Sequence, residues 1–404
     1  MSFFKKGELK LLWPFYLENI FINILFLYPI FYVLYMRGIG LSLTQIGFLT
    51  SAYGLAALIF EIPTGAIADI FGRKLSVILG YFLAGMSIFL VMFFTNYYTL
   101  LLLFFIRGAV ETLVSGAEEA WIVDLLKHKK RKNLIHDFYQ KRYSFVSIGI
   151  FLAGITGAFF VKQFGLGIIW PVTAGSMILT AFIFLFAQEH FIKRKQKTSQ
   201  AIKGVYSHSK KSIKYSLIHP VILLLLLSGV FTVFAGLFTG DMTWFPFLQS
   251  LGLKEYWFGY LVSATAILGI FVPHFTKKLS QKIGGYKKYL IFFLILQILI
   301  LLSVLFTNFL FLAVGIYLIF IATSDFYSPV RSVFFQPFLP SKMRATILSF
   351  RNMLYSLVAL IAAPLAGFVA DKIGVQKTIM LGSVFLIPAI IFYMKIHDSK
   401  VPSP

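Results

Sequence analysis

The chain has 404 residues, 59% hydrophobic and 18% aromatic, with only 13% charged and a mean hydropathy of +0.85. Soluble domains carry about 25% charged residues, and 47 Phe cannot be kept off the surface of a water-soluble globule so short of charge, so a soluble enzyme is excluded. The formal net charge of +22 would point to nucleic acid in a soluble chain, and the absence of Cys excludes disulfide frameworks, thiol catalysis and Cys-based metal sites.

A bilayer-crossing helix needs about 20 mostly apolar residues. On that ruler the sequence predicts twelve spans: residues 11–36, 45–68, 75–95, 97–125, 143–161 and 167–189, then 219–248, 256–275, 289–306, 309–336, 346–370 and 376–395. The first is too long for a signal h-region and lacks a small-residue cleavage site, so it reads as a span. With the amino terminus inside, twenty-nine of the 37 Lys and Arg fall on the cytoplasmic side and five on the other, which predicts both termini cytoplasmic. That asymmetry accounts for the charge without nucleic acid. The basic run Lys193 to Lys214 can also touch anionic headgroups, but the topology signal already accounts for it. The remaining bases, Arg107, Arg331 and Arg351, are embedded.

The halves read as copies: a six-helix bundle over 1–190, a basic cytoplasmic linker over 191–218 and a second bundle over 219–404. Gly154-Ile155-Thr156-Gly157-Ala158-Phe159 in the fifth span aligns with Pro364-Leu365-Ala366-Gly367-Phe368-Val369 in the eleventh, and Arg142 aligns with Arg351. Repeats in the same orientation are one of the known plans of secondary transporters.

Between the second and third spans runs Gly65-Ala66-Ile67-Ala68-Asp69-Ile70-Phe71-Gly72-Arg73-Lys74. Gly65 and Gly72 permit close packing and a tight turn, and Asp69 faces the Arg73/Lys74 pair at a helix boundary. The segment resembles the signature loop G-x-x-x-D-x-x-G-R-K/R of the major facilitator superfamily, and the resemblance extends over nearly the whole chain. It implies an all-α integral membrane fold of twelve helices in two parallel six-helix repeats, working by alternating access. It also implies a conformational latch in which the loop meets an acid at the cytoplasmic end of the fourth span, a place that Asp124 fits. The other reading is that these charges only anchor the loop at the headgroups.

The fourth span holds Arg107, Glu111 and Glu118. At about 100° per residue all three share one stripe of a continuous helix, and an ionisable residue in hydrocarbon costs at least ~2.5–3.5 kcal/mol, so the stripe should face other helices or a wet cavity. Arg107 resembles the family's fourth-helix arginine, associated with proton transfer. The three are therefore proton-coupling candidates, with a permanent Arg107–Glu111 ion pair as the alternative. Substrate-cavity candidates are Glu18, Asn19 and Asn23 in the first span, Asp241 in the seventh, and Asp325 and Arg331 in the tenth. Counting Glu61 and Glu119 as well, embedded acids outnumber bases, which tilts the expected cargo towards cationic or amphipathic molecules.

Antiporters of the family commonly carry G-x-x-x-G-P-x-x-G-G in the fifth span. Here Gly149, Ala153, Gly154, Gly157 and Ala158 keep the small residues, which let helices approach, but the proline is absent. Trp13, Trp121, Trp170, Trp244, Trp257 and the 20 Tyr are expected at the membrane interfaces. The seven His are scattered, and no metal site or cofactor is expected. No phosphate loop or channel filter occurs, and no catalytic constellation marks an enzyme. The expected function is proton-coupled export of hydrophobic or cationic small molecules by a monomer in the cell membrane. The alternative is proton-linked or facilitated uptake of a small neutral nutrient such as a sugar.

Overall fold

The computed structural model describes residues 4–190 and 212–397, so most of the predicted linker, 191–211, lies outside the described residues. The described residues are helices joined by short turns. In chain order they are α1 (Glu8–Leu25), α2 (Tyr28–Gly38), α3 (Leu43–Phe71), α4 (Arg73–Val91), α5 (Tyr97–Glu111), α6 (Ala117–His128), α7 (Asn133–Phe164) and α8 (Ile169–Leu185). Then follow α9 (Pro220–Phe238), α10 (Asp241–Ser250), α11 (Trp257–Ile283), α12 (Tyr286–Ser303), α13 (Leu310–Phe335), α14 (Arg344–Ile373) and α15 (Val375–Met394).

Ten helices or helix pairs among the described residues are long and apolar enough to cross a membrane, and α11, bent by 66° near its middle, would make an eleventh. The predicted fourth span is where the count differs from twelve. Residues 112–116 leave the helix, Gly116 adopts φ 65°, and the segment becomes α5 and α6, each shorter than a bilayer crossing. The fifth predicted span is a continuous α7 of 32 residues. Its small residues Gly149, Ala153, Gly154, Gly157 and Ala158 are all buried.

The chain forms two compact units. In the first, α4 lies along α8 and α1 along α7. The Glu8–Lys141 ion pair (2.6 Å) ties α1 to α7. The start of α11 also belongs to this unit, and a Cβ at Gly154 would collide with Ser263 and the Gly259 carbonyl, so small residues set that contact distance. In the second unit α9 packs on α15 and α12 on α13. Ser42–Gly47, the beginning of α3, belongs here too. The Asp371 carboxylate of α14 accepts the amide N–H groups of Leu43 (3.0 Å) and Thr44 (2.8 Å) and the Thr44 hydroxyl (2.6 Å). An anion there satisfies the open donors of a helix amino terminus.

The first span of each half is broken, at Phe26–Leu27 and again at Thr239–Gly240. Freed backbone groups in a membrane must find partners inside the protein. At the first break the buried Thr173 of α8 does this: its Oγ1 accepts from Leu27 N (3.0 Å) and Tyr28 N (3.2 Å). At the second, Thr243 Oγ1 donates to the Phe238 carbonyl (2.8 Å). The aromatic belt expected from sequence is incomplete, because Trp121, Trp170 and Trp244 are fully buried while Trp13 and Trp257 are exposed. Bulky rings fill the bundle interiors where many Gly and Ala leave room.

Thr173→Val keeps the shape and removes the acceptor of two backbone N–H groups, one buried and one part-buried. It is expected to destabilise the protein by about 1–3 kcal/mol, read as a lower melting temperature in detergent, whereas Thr173→Ser should stay close to wild type.

Candidate functional site

The signature loop lies within the first unit. Gly72, which ends α3 at φ 104°, is where the tight turn needs glycine; a Cβ at Gly65 would meet nothing within 4 Å, so close packing does not explain that residue. Arg73 Nη1 donates to Asp124 Oδ2 (2.5 Å) and to the Ala120 carbonyl (2.7 Å), tying α4 to α6. Asp69, largely exposed, reaches Arg73 only at 4.0 Å. Lys74 Nζ donates to the Leu185 and Ala187 carbonyls at the end of α8 (2.8 and 2.9 Å). Glu189 returns the favour by accepting Lys74 N at the start of α4 (2.9 Å). Glu189 was not foreseen from sequence: its role depends on α8 bringing an acid to another helix's amino terminus.

Arg107 is buried on α5, and its guanidinium lies over the rings of Tyr28 (4.3 Å) and Tyr53 (5.0 Å). It bonds the Tyr28 hydroxyl and pairs with Glu111 (3.0 Å). Glu118 does not continue this stripe. The break at 112–116 ends the helical register, and the structure places Glu118 on α6 in a different cluster.

That cluster joins four helices. Tyr81 of α4 has its hydroxyl 3.1 Å from Glu18 Oε1 of α1 and 3.1 Å from Glu118 Oε2 of α6. Arg142 of α7 lies 3.0 Å from Glu118 Oε1. Asn19 Nδ2 donates to Glu18 Oε2 (2.6 Å). Glu18, Asn19, Tyr81 and Glu118 are all buried. Asn23 stands apart, with its amide spent on the Asn19 carbonyl (2.6 Å). Tyr81 and Arg142 are the members that sequence reasoning missed. Arg142 read as a loop base because it precedes the apolar run, but α7 begins nine residues earlier, at Asn133.

In the second unit Arg331 of α13 lines a cavity of about 130 Å³ together with Thr232, Ala235, Gly236, Thr239, Gln297, Leu301, Phe320, Ser324, Tyr327, Ser328 and Leu386. Its Nη1 donates to Thr232 Oγ1 (2.9 Å), and its guanidinium lies 5.7 and 5.9 Å from the Tyr327 and Tyr355 rings. No ion pair to Arg331 occurs among the described residues. Asp325 is half-buried on the same helix, and Asp241 begins α10 at the surface. Of the acids behind the expected cationic preference, Glu111 and Glu118 pair with arginines, and Glu61, Glu119 and Asp241 are exposed. Glu18 and Asp325 have no ion pair among the described residues.

The match to the Major Facilitator Superfamily spans residues 19–362, and the chain belongs to that family. It is an integral, multi-pass membrane protein that acts as a secondary transporter of small molecules and is not an enzyme. It is 22% identical to the uncharacterized MFS-type transporter YxaM of Bacillus subtilis, over 92% of this chain and 93% of that one. It is 27% identical to the quinolone resistance protein NorA of Staphylococcus aureus, over 55% of this chain and 56% of NorA. The crystal structure of a bacterial homolog of the human lysosomal transporter Spinster, inward-facing and occupied, superposes with a TM-score of 0.73 at 16% identity, covering 97% of this chain and 98% of that one. That likeness concerns the fold.

Removing one partner of a buried ion pair costs about 3–5 kcal/mol, because the other charge is left uncompensated. Arg142→Gln is therefore expected to lower the thermal stability strongly, and the Arg142→Gln/Glu118→Gln double variant to recover most of it. Additive losses in this double-mutant cycle would mean the two side chains do not interact.

Proposed function

We propose that the protein exports small amphipathic molecules against proton entry, with Glu18, Tyr81, Glu118 and Arg142 as the proton-carrying cluster. The carrying observation is the single Tyr81 hydroxyl set 3.1 Å from each of two buried carboxylates. A phenol has one proton and can donate to one carboxylate only; its second contact is a hydrogen bond only if the other carboxyl donates to it. Two carboxylates and one guanidinium leave a net charge of −1, and one added proton makes the buried set neutral. Burial of an uncompensated charge is costly, so gain and loss of that proton differ sharply in energy with access to water. A conformational equilibrium is shifted by such a difference.

Arg107 and Glu111 form the second candidate for the coupling ion's path, with Glu111 the more accessible member of the pair. Asp69, Gly72, Arg73, Lys74 and Asp124 serve as the latch, to which we add Glu189. In this reading residues 1–190 and 219–404 are the two moving bundles, joined by the basic linker, with both termini cytoplasmic. The export direction is supported by the relative whose name records quinolone resistance. The sign of the cargo is left open in this reading: Glu111 and Glu118 are paired with arginines, whereas Glu18 and Asp325 have no ion pair among the described residues.

Purified protein in liposomes with an internal pH dye, under an inward proton gradient, tests the reading once the two insertion orientations are quantified. Proton flux driven by an amphipathic substrate should run opposite to it. Same-direction flux with a sugar would make the protein an uptake symporter. Glu118→Gln should abolish coupled movement while sparing substrate exchange, and intact coupling in that variant would exclude Glu118 as the carrier. Asp69→Asn should cripple turnover with folded protein still present in the membrane, and near-normal turnover would remove Asp69 from the latch.

A further inference from the structure

We infer that the cavity around Arg331 is a subsite for the carboxylate of a monoanionic amphipathic substrate. This deepens the export reading and rests on it for what becomes of the bound molecule.

Arg331 is the one charged residue lining the cavity, and none of the ion pairs among the described residues involves it. A permanently charged group in a membrane-spanning helix is expensive unless something offsets it. What surrounds Arg331 offsets it only in part: Thr232 Oγ1 and the Tyr327 hydroxyl accept from its five N–H donors, and two tyrosine rings supply quadrupole, so every partner is neutral. The net positive charge remains for a ligand.

The geometry and count then select the ligand's chemistry. A planar guanidinium matches a carboxylate with two parallel hydrogen bonds, and the Ser324 hydroxyl and Gln297 amide, 3.3 Å apart, add neutral polar groups beside it. One positive charge balances a monoanion; a phosphate dianion would bring a second negative charge that no lining residue meets. At about 130 Å³ the cavity is smaller than the ~300–1,000 Å³ of pockets that enclose a drug-sized ligand. It takes a head group. Phe320 and Leu386, also in the lining, give an apolar start for the rest of the molecule. Such a substrate is amphipathic but of the sign opposite to the one that the sum of embedded acids suggests.

Binding tests this without a proton gradient. Purified protein is titrated with 4-phenylbutyrate, its amide, 4-phenylbutylamine and phenyl phosphate, all sharing an aromatic body, and followed by calorimetry and by the shift in melting temperature. A charge-assisted contact is worth about 1.5–3 kcal/mol, so the acid should bind roughly 10- to 100-fold more tightly than the amide, and more tightly than the amine or the phosphate. Arg331→Gln should erase the acid's advantage, and Arg331→Lys should keep part of it. If Arg331→Gln does not fold, Thr232→Val, which removes one of the guanidinium's two hydroxyl partners, should still change the acid's affinity without changing the amide's. Equal binding of acid and amide, preference for the amine, or a preference that survives Arg331→Gln overturns the subsite, as does no Arg331-dependent shift with any acid. Wild-type protein that binds the acid in this Arg331-dependent way but shows no proton flux opposite to the acid's movement counts against the export reading alone.

Discussion

Charge in hydrocarbon must be answered locally, and this constraint organises the interior of both units. The cost of an ionised side chain at bilayer depth is at least ~2.5–3.5 kcal/mol, comparable to a large part of a domain's net stability. Arg107 is met by Glu111, Tyr28 and Tyr53. Arg142 is met by Glu118, and the spare carboxylate of Glu18 by Tyr81 and Asn19. Where the same principle governs the backbone, Thr173 and Thr243 close the two broken spans. Arg331 stands out against this pattern because its answer is incomplete.

The apolar runs made the fold legible in the sequence, since a helix is forced wherever some 20 residues cannot hydrogen-bond to water. The contact at the signature loop needs little more than the sequence: Arg73 and Asp124 lie 2.5 Å apart, because a local turn at Gly72 and one helix-end acid suffice, while its role as a latch stays a proposal. The grouping of Glu118 with Arg107 failed for a specific reason. Helical register is reliable only while the helix continues, and Ser115-Gly116 end it between the two residues. Once the register is lost, the partner of Glu118 is decided by packing of four helices, which no spacing encodes. Tyr81 is one tyrosine among 20, and nothing in its neighbours marks it.

The two broken first spans show how the repeat carries function-ready irregularity. The break at Leu27 sits beside Tyr28, whose hydroxyl and ring both engage Arg107. The break at Gly240 starts α10 with Asp241. In each half an interruption sets a polar residue within an otherwise apolar segment, and a threonine on the same or a neighbouring helix makes the interruption tolerable. The continuous α7, without the proline found in many antiporters, presents buried small residues against which α1 and the start of α11 pack.

Trp121 follows Glu118 by three residues on α6. It is 1% exposed, donates its indole N–H to the Gln188 carbonyl (2.9 Å) and packs edge-on against Phe15. A rigidly held indole next to a carboxyl that gains and loses a proton senses the change in local electric field as a shift in its own emission. On the proposal that Glu118 exchanges the proton, Trp121 is placed to report it: with the other four tryptophans replaced, the protonation of a buried carboxylate would show in the protein's own emission, with no label attached and no cargo identified.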